Sequence, residues 1–404
     1  MHRKFSRRTM LRGSGLALGA AGAVPLLNAC ASVPDDTASS GGTAAVTPRT
    51  TASEATPSAT SSGGDFAGEE VTLLVYSGLT ENLYREFFVP QFEALTGASV
   101  TIDSAWTEGI ARLDAAPTDS PPFDLVLTDP TQGLPAVEQG LFQQFDVDRV
   151  PNAAANFHPN LLDATIYNEG FGIPFHSSAM TLATNTDLES DPFTTWNELL
   201  ERTPGRGFML YNLSYMSLYT FAEMMAEAEG LEPGMGRALL EDDLDGVLAF
   251  AAGNGDKVGF YWPSTADGVN ALVNGEVAAG NIHGNGLLTP IREGAPVSGT
   301  IPPGTDAYVQ LFFAVPQNVR NLELSLAALD HICSRDFQQS LTESGEYSCA
   351  IPDIAEAYAA TDESWAAAFP ATAADFDNLK YYPYDVYAAN AEQIAEVWDN
   401  DVLR

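Results

Sequence analysis

Apolar residues in this chain recur in two alternating rhythms. Val71-Thr72-Leu73-Leu74-Val75-Tyr76 is a short run of strand type, and Leu83, Phe87, Phe88, Phe92 and Leu95 follow at helical spacing until Gly97. The second pattern predicts a helix interrupted or kinked near Pro90, because proline removes a backbone N–H and collides with the preceding turn. A strand over residues 98–103, a short helix near 108–115 and the run Phe123-Asp124-Leu125-Val126-Leu127 come next. Strand, helix, strand, helix, strand is the order of a parallel sheet covered by helices. In such a sheet the carboxyl ends of the strands, here Tyr76-Ser77 and Thr128-Asp129, open onto a binding crevice.

The middle of the chain repeats this rhythm. Gly170 to Pro174 followed by Met180 to Asn185 reads as the chain crossing from one body into another. Strands are predicted at 208–211, at Gly259 to Pro263 and at Val277 to Ile282, with helices at 217–228, 234–252 and 265–274 between them. Gln310 to Pro316 is a strongly apolar strand that returns to the first body. Leu322, Leu326, Leu329, Cys333, Phe337 and Leu341 stand three and four apart, which predicts one helix with Cys333 on its apolar side and Gly345 as its stop. Helices near 355–360, 363–369 and 386–400 complete the chain.

The N-terminus follows a different logic. Ser6-Arg7-Arg8-Thr9-Met10-Leu11-Arg12 is a paired-arginine export signal, and Leu27-Asn28-Ala29-Cys30 is a box for cleavage and lipid attachment at Cys30. The apolar stretch between them falls short of the ~20 residues a membrane span requires. Residues 31–68 are rich in Ser, Thr, Ala, Gly and Pro and cannot repay their ordering entropy by burial. As a flexible tether they would reach about 35 Å. The expected division is therefore 1–29 as a twin-arginine lipoprotein signal and 30–68 as lipidated cysteine and linker. One lobe then comprises 69–175 with 300–404, its C-terminal helices partly spanning both lobes, and 176–299 forms the other.

Charge and cysteines refine the compartment. Five of the 18 basic residues precede Cys30, leaving 13 against 54 acidic residues and a net charge of −41. Only Lys257 and Lys380 remain among the lysines, a balance that resembles proteins of salt-loving organisms, whose self-repulsion is screened at high ionic strength. Nucleic acid is excluded as a partner for want of a basic patch. After lipidation of Cys30, Cys333 and Cys349 are an even pair in an oxidising location; a bridge between them is expected, with reduced core thiols as the alternative.

The order of these motifs resembles extracellular solute-binding protein family 1, in its spermidine/putrescine-like branch of lipoproteins that serve ATP-driven importers. The resemblance is carried by Val71 to Ser77, Phe92-Glu93-Ala94-Leu95-Thr96-Gly97-Ala98-Ser99-Val100, Phe123-Asp124-Leu125-Val126, Gly172-Ile173-Pro174-Phe175 and Leu272-Val273-Asn274-Gly275-Glu276-Val277. It implies an α/β, two-lobe periplasmic-binding-protein-like fold of type II, with parallel-type mixed sheets flanked by helices and a ligand cleft between the lobes. It also implies a small polar, cationic solute and an importer permease as partners, a monomer anchored outside the cytoplasm by its acyl chains, and no cofactor, metal or catalysis.

Position along that fold nominates Tyr76, Ser77, Asp129, His176, Ser178, Asn212, Ser214, Tyr261, Trp262, His283 and Tyr308 as cleft residues. Asp129 reads equally as the cap of a helix beginning Pro130-Thr131, and Ser214 as an ordinary helix cap. Polyamine-binding relatives place Trp and Asp contacts near the segment matching 281–286, where this chain has Ile282 and His283. An exported hydrolase working through paired carboxylates is the alternative, although no Gly-x-Ser-x-Gly elbow or His-Glu-x-x-His motif is present.

Overall fold

Two five-stranded sheets, each with its own core, make up the computed structural model, which describes residues 65–404 apart from 107, 204–206, 305–308 and 382. The signal and linker, including Cys30, lie outside the described residues, as does Tyr308. The first sheet contains β1 (Glu70–Val75), β2 (Ser99–Ser104), β3 (Leu125–Thr128), β4 (Gly172–Ser178) and, after a long excursion, β10 (Val309–Ala314). Its order is β2-β1-β3-β10-β4, with β1 parallel to β2 and β3, and β10 antiparallel to β3 and β4.

The second sheet is built from β5 (Met180–Asn185), β6 (Phe208–Tyr211), β7 (Val258–Trp262), β8 (Ala279–His283) and β9 (Val297–Thr300) in the order β7-β6-β8-β5-β9. Here β6 runs parallel to β7 and β8, and β5 is antiparallel to β8 and β9. This is an α/β fold of mixed sheets flanked by helices, in a two-lobe arrangement.

The apolar runs become strands because the sheets are covered on both faces. Val71, Leu73 and Val75 point into one core, while Leu74 joins Val126 and Phe312 in another. Asp124, an acid inside an apolar run, is 3% exposed. Its carboxylate accepts the Thr72 backbone N–H at 2.8 Å and pairs with Arg320 at 2.7 Å, tying β1 to the start of β3. Burial of the acid is thus compensated by two partners.

Three predicted elements differ in form. The helix expected to be interrupted or kinked near Pro90 is interrupted there in a particular form: Leu79–Leu83 leads into a π turn, Tyr84–Phe88, before Val89–Thr96 resumes with Pro90 in its first turn. The π turn absorbs the ring that an uninterrupted helix would clash with. The helix read over 234–252 is two, Gly236–Asp242 and Leu244–Asn254, broken at Asp243, which accepts the Gly246 N–H. The stripe from Leu322 to Leu341 is also two helices, Leu322–Ile332 and Arg335–Glu343. Ser334 caps the second by accepting the Phe337 N–H, so a cap outweighed an apolar period that ran straight through it.

That break also corrects the expected disulfide: Cys333 and Cys349 are both free thiols. Cys333 occupies the C-terminal cap of its helix, fully buried in the first core, while Cys349 Sγ meets the Ile351 backbone at 3.4–3.5 Å. Each sulfur is packed as a small apolar group, and burial raises both thiol pKa values, that of Cys349 to about 11. Thiol reductant is therefore expected to leave the melting temperature unchanged, with both thiols appearing in a titration only after unfolding. A drop in melting temperature on reduction would restore the bridge.

The two cores are joined by more than one pass of the chain. Ala179 links β4 to β5, Ile301 follows β9, and Leu379 precedes the C-terminal segment; these three meet with Tyr381 in one small cluster. Beyond it, Tyr387, Ile394, Trp398 and Val402 pack into the second core, whereas residues up to Phe376 belong to the first. At the same place Gly304 lies against Gly234 so closely that a Cβ on Gly304 would fall 2.1 Å from the Gly234 Cα. Only glycine permits that backbone approach.

Candidate functional site

Parallel strands β1 and β3 are neighbours, so the segments that follow them emerge side by side. Tyr76 follows β1, and Gly78, at φ 89°, turns the chain into the next helix. Asp129 follows β3 and caps Pro130–Glu138 by accepting the Thr131 N–H at 2.8 Å through Oδ1. Its Oδ2 accepts the Tyr76 hydroxyl at 2.8 Å. One carboxylate therefore ends a helix and orients an aromatic ring.

Trp106, just past β2, stacks on Tyr76 with centroids 4.9 Å apart and 21° between planes. It is 46% exposed, so this edge of the first sheet presents an uncovered aromatic face beside an acid. A lone Trp in Ala-Trp-Thr has no period to betray it, and sequence reading missed it. Ser77 is half-buried at the same edge.

The corresponding edge of the second sheet is aromatic but more enclosed. Trp262, at the end of β7, is fully buried; its indole N–H donates to the Asn281 carbonyl at 2.9 Å and its ring stacks on Tyr211 at 4.1 Å. His283 stands edge-on to Trp262 at 5.0 Å, with Nδ1 2.8 Å from the Thr265 hydroxyl. Burial lowers its pKa to about 3, so the imidazole is neutral.

Asn212 is held by its backbone, donating to Trp262 O at 3.1 Å and accepting the Trp398 indole N–H at 2.9 Å. Ser214 starts the helix Ser214–Ala228, with Leu213 rather than Ser214 at the cap position. Tyr261 reaches Gly255 O at 3.4 Å, and burial raises its pKa.

His176 and Ser178 sit deeper in the first core. The imidazole lies between the hydroxyls of Ser348, at Nδ1, and Ser178, 3.4 Å from Nε2, under the ring of Tyr347 at 4.4 Å. Burial alone lowers its pKa to about 3. Tyr347 in turn lies 3.5 Å from the Thr80 hydroxyl.

A cavity of about 330 Å³ opens at Pro130, the residue after Asp129, and none of the described cleft nominees lines it. Pro130 and Leu134 line it from the first body, Arg237 and Glu241 from the second, and Tyr381 and Tyr384 from the segment that crosses between them. Burial, then the charges of Glu138, Asp385 and Asp129, raise the Tyr384 pKa, so its hydroxyl stays protonated next to the Asp129 edge. Among the described residues no group of three or more His, Cys, Asp or Glu is placed to hold a metal ion.

A pocket lined from two α/β bodies and a crossing segment is the arrangement of a binding protein. The chain belongs to the bacterial extracellular solute-binding proteins, whose family pattern matches residues 88–374. No curated protein matches the chain. Among solved structures, an ABC transporter protein from Clostridium perfringens superposes with a TM-score of 0.68 at 16% identity, over 82% of this chain and 99% of that one. A protein from Agrobacterium tumefaciens, solved open and unliganded, gives 0.65 at 19% identity, over 83% and 99%.

The spermidine/putrescine ABC transporter substrate-binding protein from Streptococcus pneumoniae gives 0.63 at 14% identity, over 82% and 100%. At these identities the likeness is one of fold. The family is one of binding proteins, not enzymes, and nothing in it supports the hydrolase alternative.

Proposed function

We propose that this chain is the solute-binding lipoprotein of an ABC importer, anchored outside the cytoplasm through Cys30 and working as a monomer. It captures a small polar solute carrying a cationic group and presents it to a membrane permease. One observation carries the reading: a cavity of about 330 Å³ takes its walls from both bodies and from the segment crossing between them, with Pro130, next to Asp129, on one side. Residues 69–175 with 300–404 form one lobe in this reading, its C-terminal helices partly spanning both lobes, and 176–299 form the other.

Closure about the crossings at Ala179, Ile301 and Leu379 shifts a population from open to closed and performs no chemistry. The motifs from Val71 to Val100 and from Leu272 to Val277 support the spermidine/putrescine-like branch. The net charge of −41 favours cations at the surface.

The test is a thermal-shift screen in molar salt across polyamines, amino acids, sugars, thiamine, ferric ion and phosphorylated compounds, followed by calorimetry on any hit. Asp129→Ala is expected to weaken binding about tenfold, because it removes the acid and frees Tyr76, and to cost about 1 kcal/mol of stability through the lost helix cap. Unchanged affinity with the cap cost intact would leave Asp129 a structural residue only. A screen without any hit would remove the transport reading.

A further inference from the structure

Resting on that solute-binding reading, we propose that the solute is an aminocarboxylate, with its carboxylate on Arg237 and its ammonium group on Asp163 and Asp385. All three residues line the same cavity, and among its described lining residues Arg237 is the one cation.

The chemistry follows from how each group is held. Arg237 pairs with Glu241 one helical turn away, Nε to Oε1 at 3.0 Å, with both side chains about 40% exposed. Such an exposed pair contributes little and exchanges readily. It engages Nε, and the terminal amino groups are the fork that accepts a carboxylate in bidentate geometry. Asp163 ends the helix Pro159–Leu162 and Asp385 lies in the first turn of Tyr384–Ala389; both are exposed. Among the described residues neither carboxylate is in an ion pair, whereas Arg85, Arg112, Arg202, Arg292, Arg320 and Arg335 are all matched to acids elsewhere. Pro130, Leu134 and Phe312 supply an apolar wall, and Tyr384 keeps its proton and can donate to a polar group.

Charge balance selects the class. Asp163, Glu241 and Asp385 against Arg237 leave the cavity with an excess of two negative charges. A plain carboxylate would enter against that excess. A plain diamine would place an ammonium group beside a guanidinium. An amino acid with one carboxylate and one or two ammonium groups meets both signs, and the cavity volume lies at the low end of the ~300–1,000 Å³ range of small-molecule pockets.

Calorimetry in molar salt tests this with matched probes: ω-aminocarboxylates of increasing length, ornithine and lysine, against alkylamines, alkylcarboxylates and putrescine. At least one aminocarboxylate is expected to bind about tenfold tighter than its matched amine and its matched acid. Arg237→Gln is expected to abolish that advantage, with aminocarboxylate affinity falling about tenfold and amine affinity rising as the guanidinium charge is removed; Arg237→Lys keeps part of it. Arg335→Gln, which breaks only the remote pair with Asp353, keeps all of it. Melting curves establish that each variant is folded.

Saturable binding of a sugar, amine or simple acid that ignores Arg237→Gln overturns the assignment and leaves the solute-binding reading standing. Failure of every class of probe on folded protein overturns both.

Discussion

Trp262→Ala lowers the unfolding free energy by about 3–5 kcal/mol, the cost of emptying a large aromatic site in a packed core. Trp262 has no exposed surface and packs in the second core against Tyr211 at 4.1 Å. Its N–H donates to Asn281 O at 2.9 Å, and Asn281 in turn accepts the Tyr211 N–H at 2.8 Å and reaches Thr220 Oγ1 at 3.1 Å. Truncation therefore opens a cavity and strips a donor from a buried polar network that holds the ends of β6, β7 and β8 together. Trp262→Phe keeps most of the packing and loses the donor, with an expected cost of about 1–2 kcal/mol. Urea titration measures both. A cost below about 1 kcal/mol, with solute affinity collapsing instead, would mean that the indole faces solute rather than core.

Glu223 by itself is expected to lower stability by about 1.5 kcal/mol as pH rises from 6.5 to 8. Glu223, fully buried in Ser214–Ala228, accepts the N–H groups of Gly234 at 3.1 Å and Gly236 at 2.9 Å. Burial pushes its pKa up to about 8. Between the unfolded value of about 4.5 and 8, the folded chain keeps a proton that the unfolded chain has released. That contribution is complete below the lower value and is lost as pH climbs through the upper one. Glu227 and Asp330 are raised by burial and add slope of the same sign.

The buried histidines act in the opposite direction at lower pH. His176 and His283 are lowered to about 3 and His331 to about 4, so stability falls as pH drops below 6.5, where the unfolded imidazoles take up protons first. At pH 6.5 the unfolded imidazoles are still half-protonated, so the three histidines together return about 1 kcal/mol between pH 6.5 and 8 and offset much of the Glu223 slope. Melting curves in molar salt, which screens general acidic repulsion, follow the slope. Glu223→Ala, less stable throughout, is expected to turn the slope upward over pH 6.5–8, where the histidines then dominate; a slope unchanged in that variant would assign the effect elsewhere.

Periodicity carried most of the architecture. The run from Val71 to Tyr76, the Phe87–Phe92 helical face and the Phe123–Leu127 run were readable as parallel strands and helix, because a sheet covered on both faces demands continuous apolar segments. That Tyr76 and Asp129 come out at one edge follows from the same parallel pairing. Trp106 was not readable, since a single aromatic has no period. Strand β9, Val-Ser-Gly-Thr, is small and polar and forms only because β5 offers it an edge. The helix from Leu322 to Leu341 broke at Ser334 because a local cap competed with a long stripe, and with that break the two cysteines took separate places in the core.

What the residues alone determined is the alternation of α and β, the presence of two bodies joined by crossing strands, and the acidity. Whether an aromatic at a strand end turns inward or outward was decided by tertiary contacts. Trp262 is enclosed by Asn281 and Tyr211, distant in the chain, while Trp106 stacks on Tyr76 and stays 46% exposed. The cavity is likewise assembled from Leu134, Arg237 and Tyr384, segments with no pattern linking them. Local period is set by the pleat and the helical turn; the walls of a cleft are set by which distant surfaces the cores bring together.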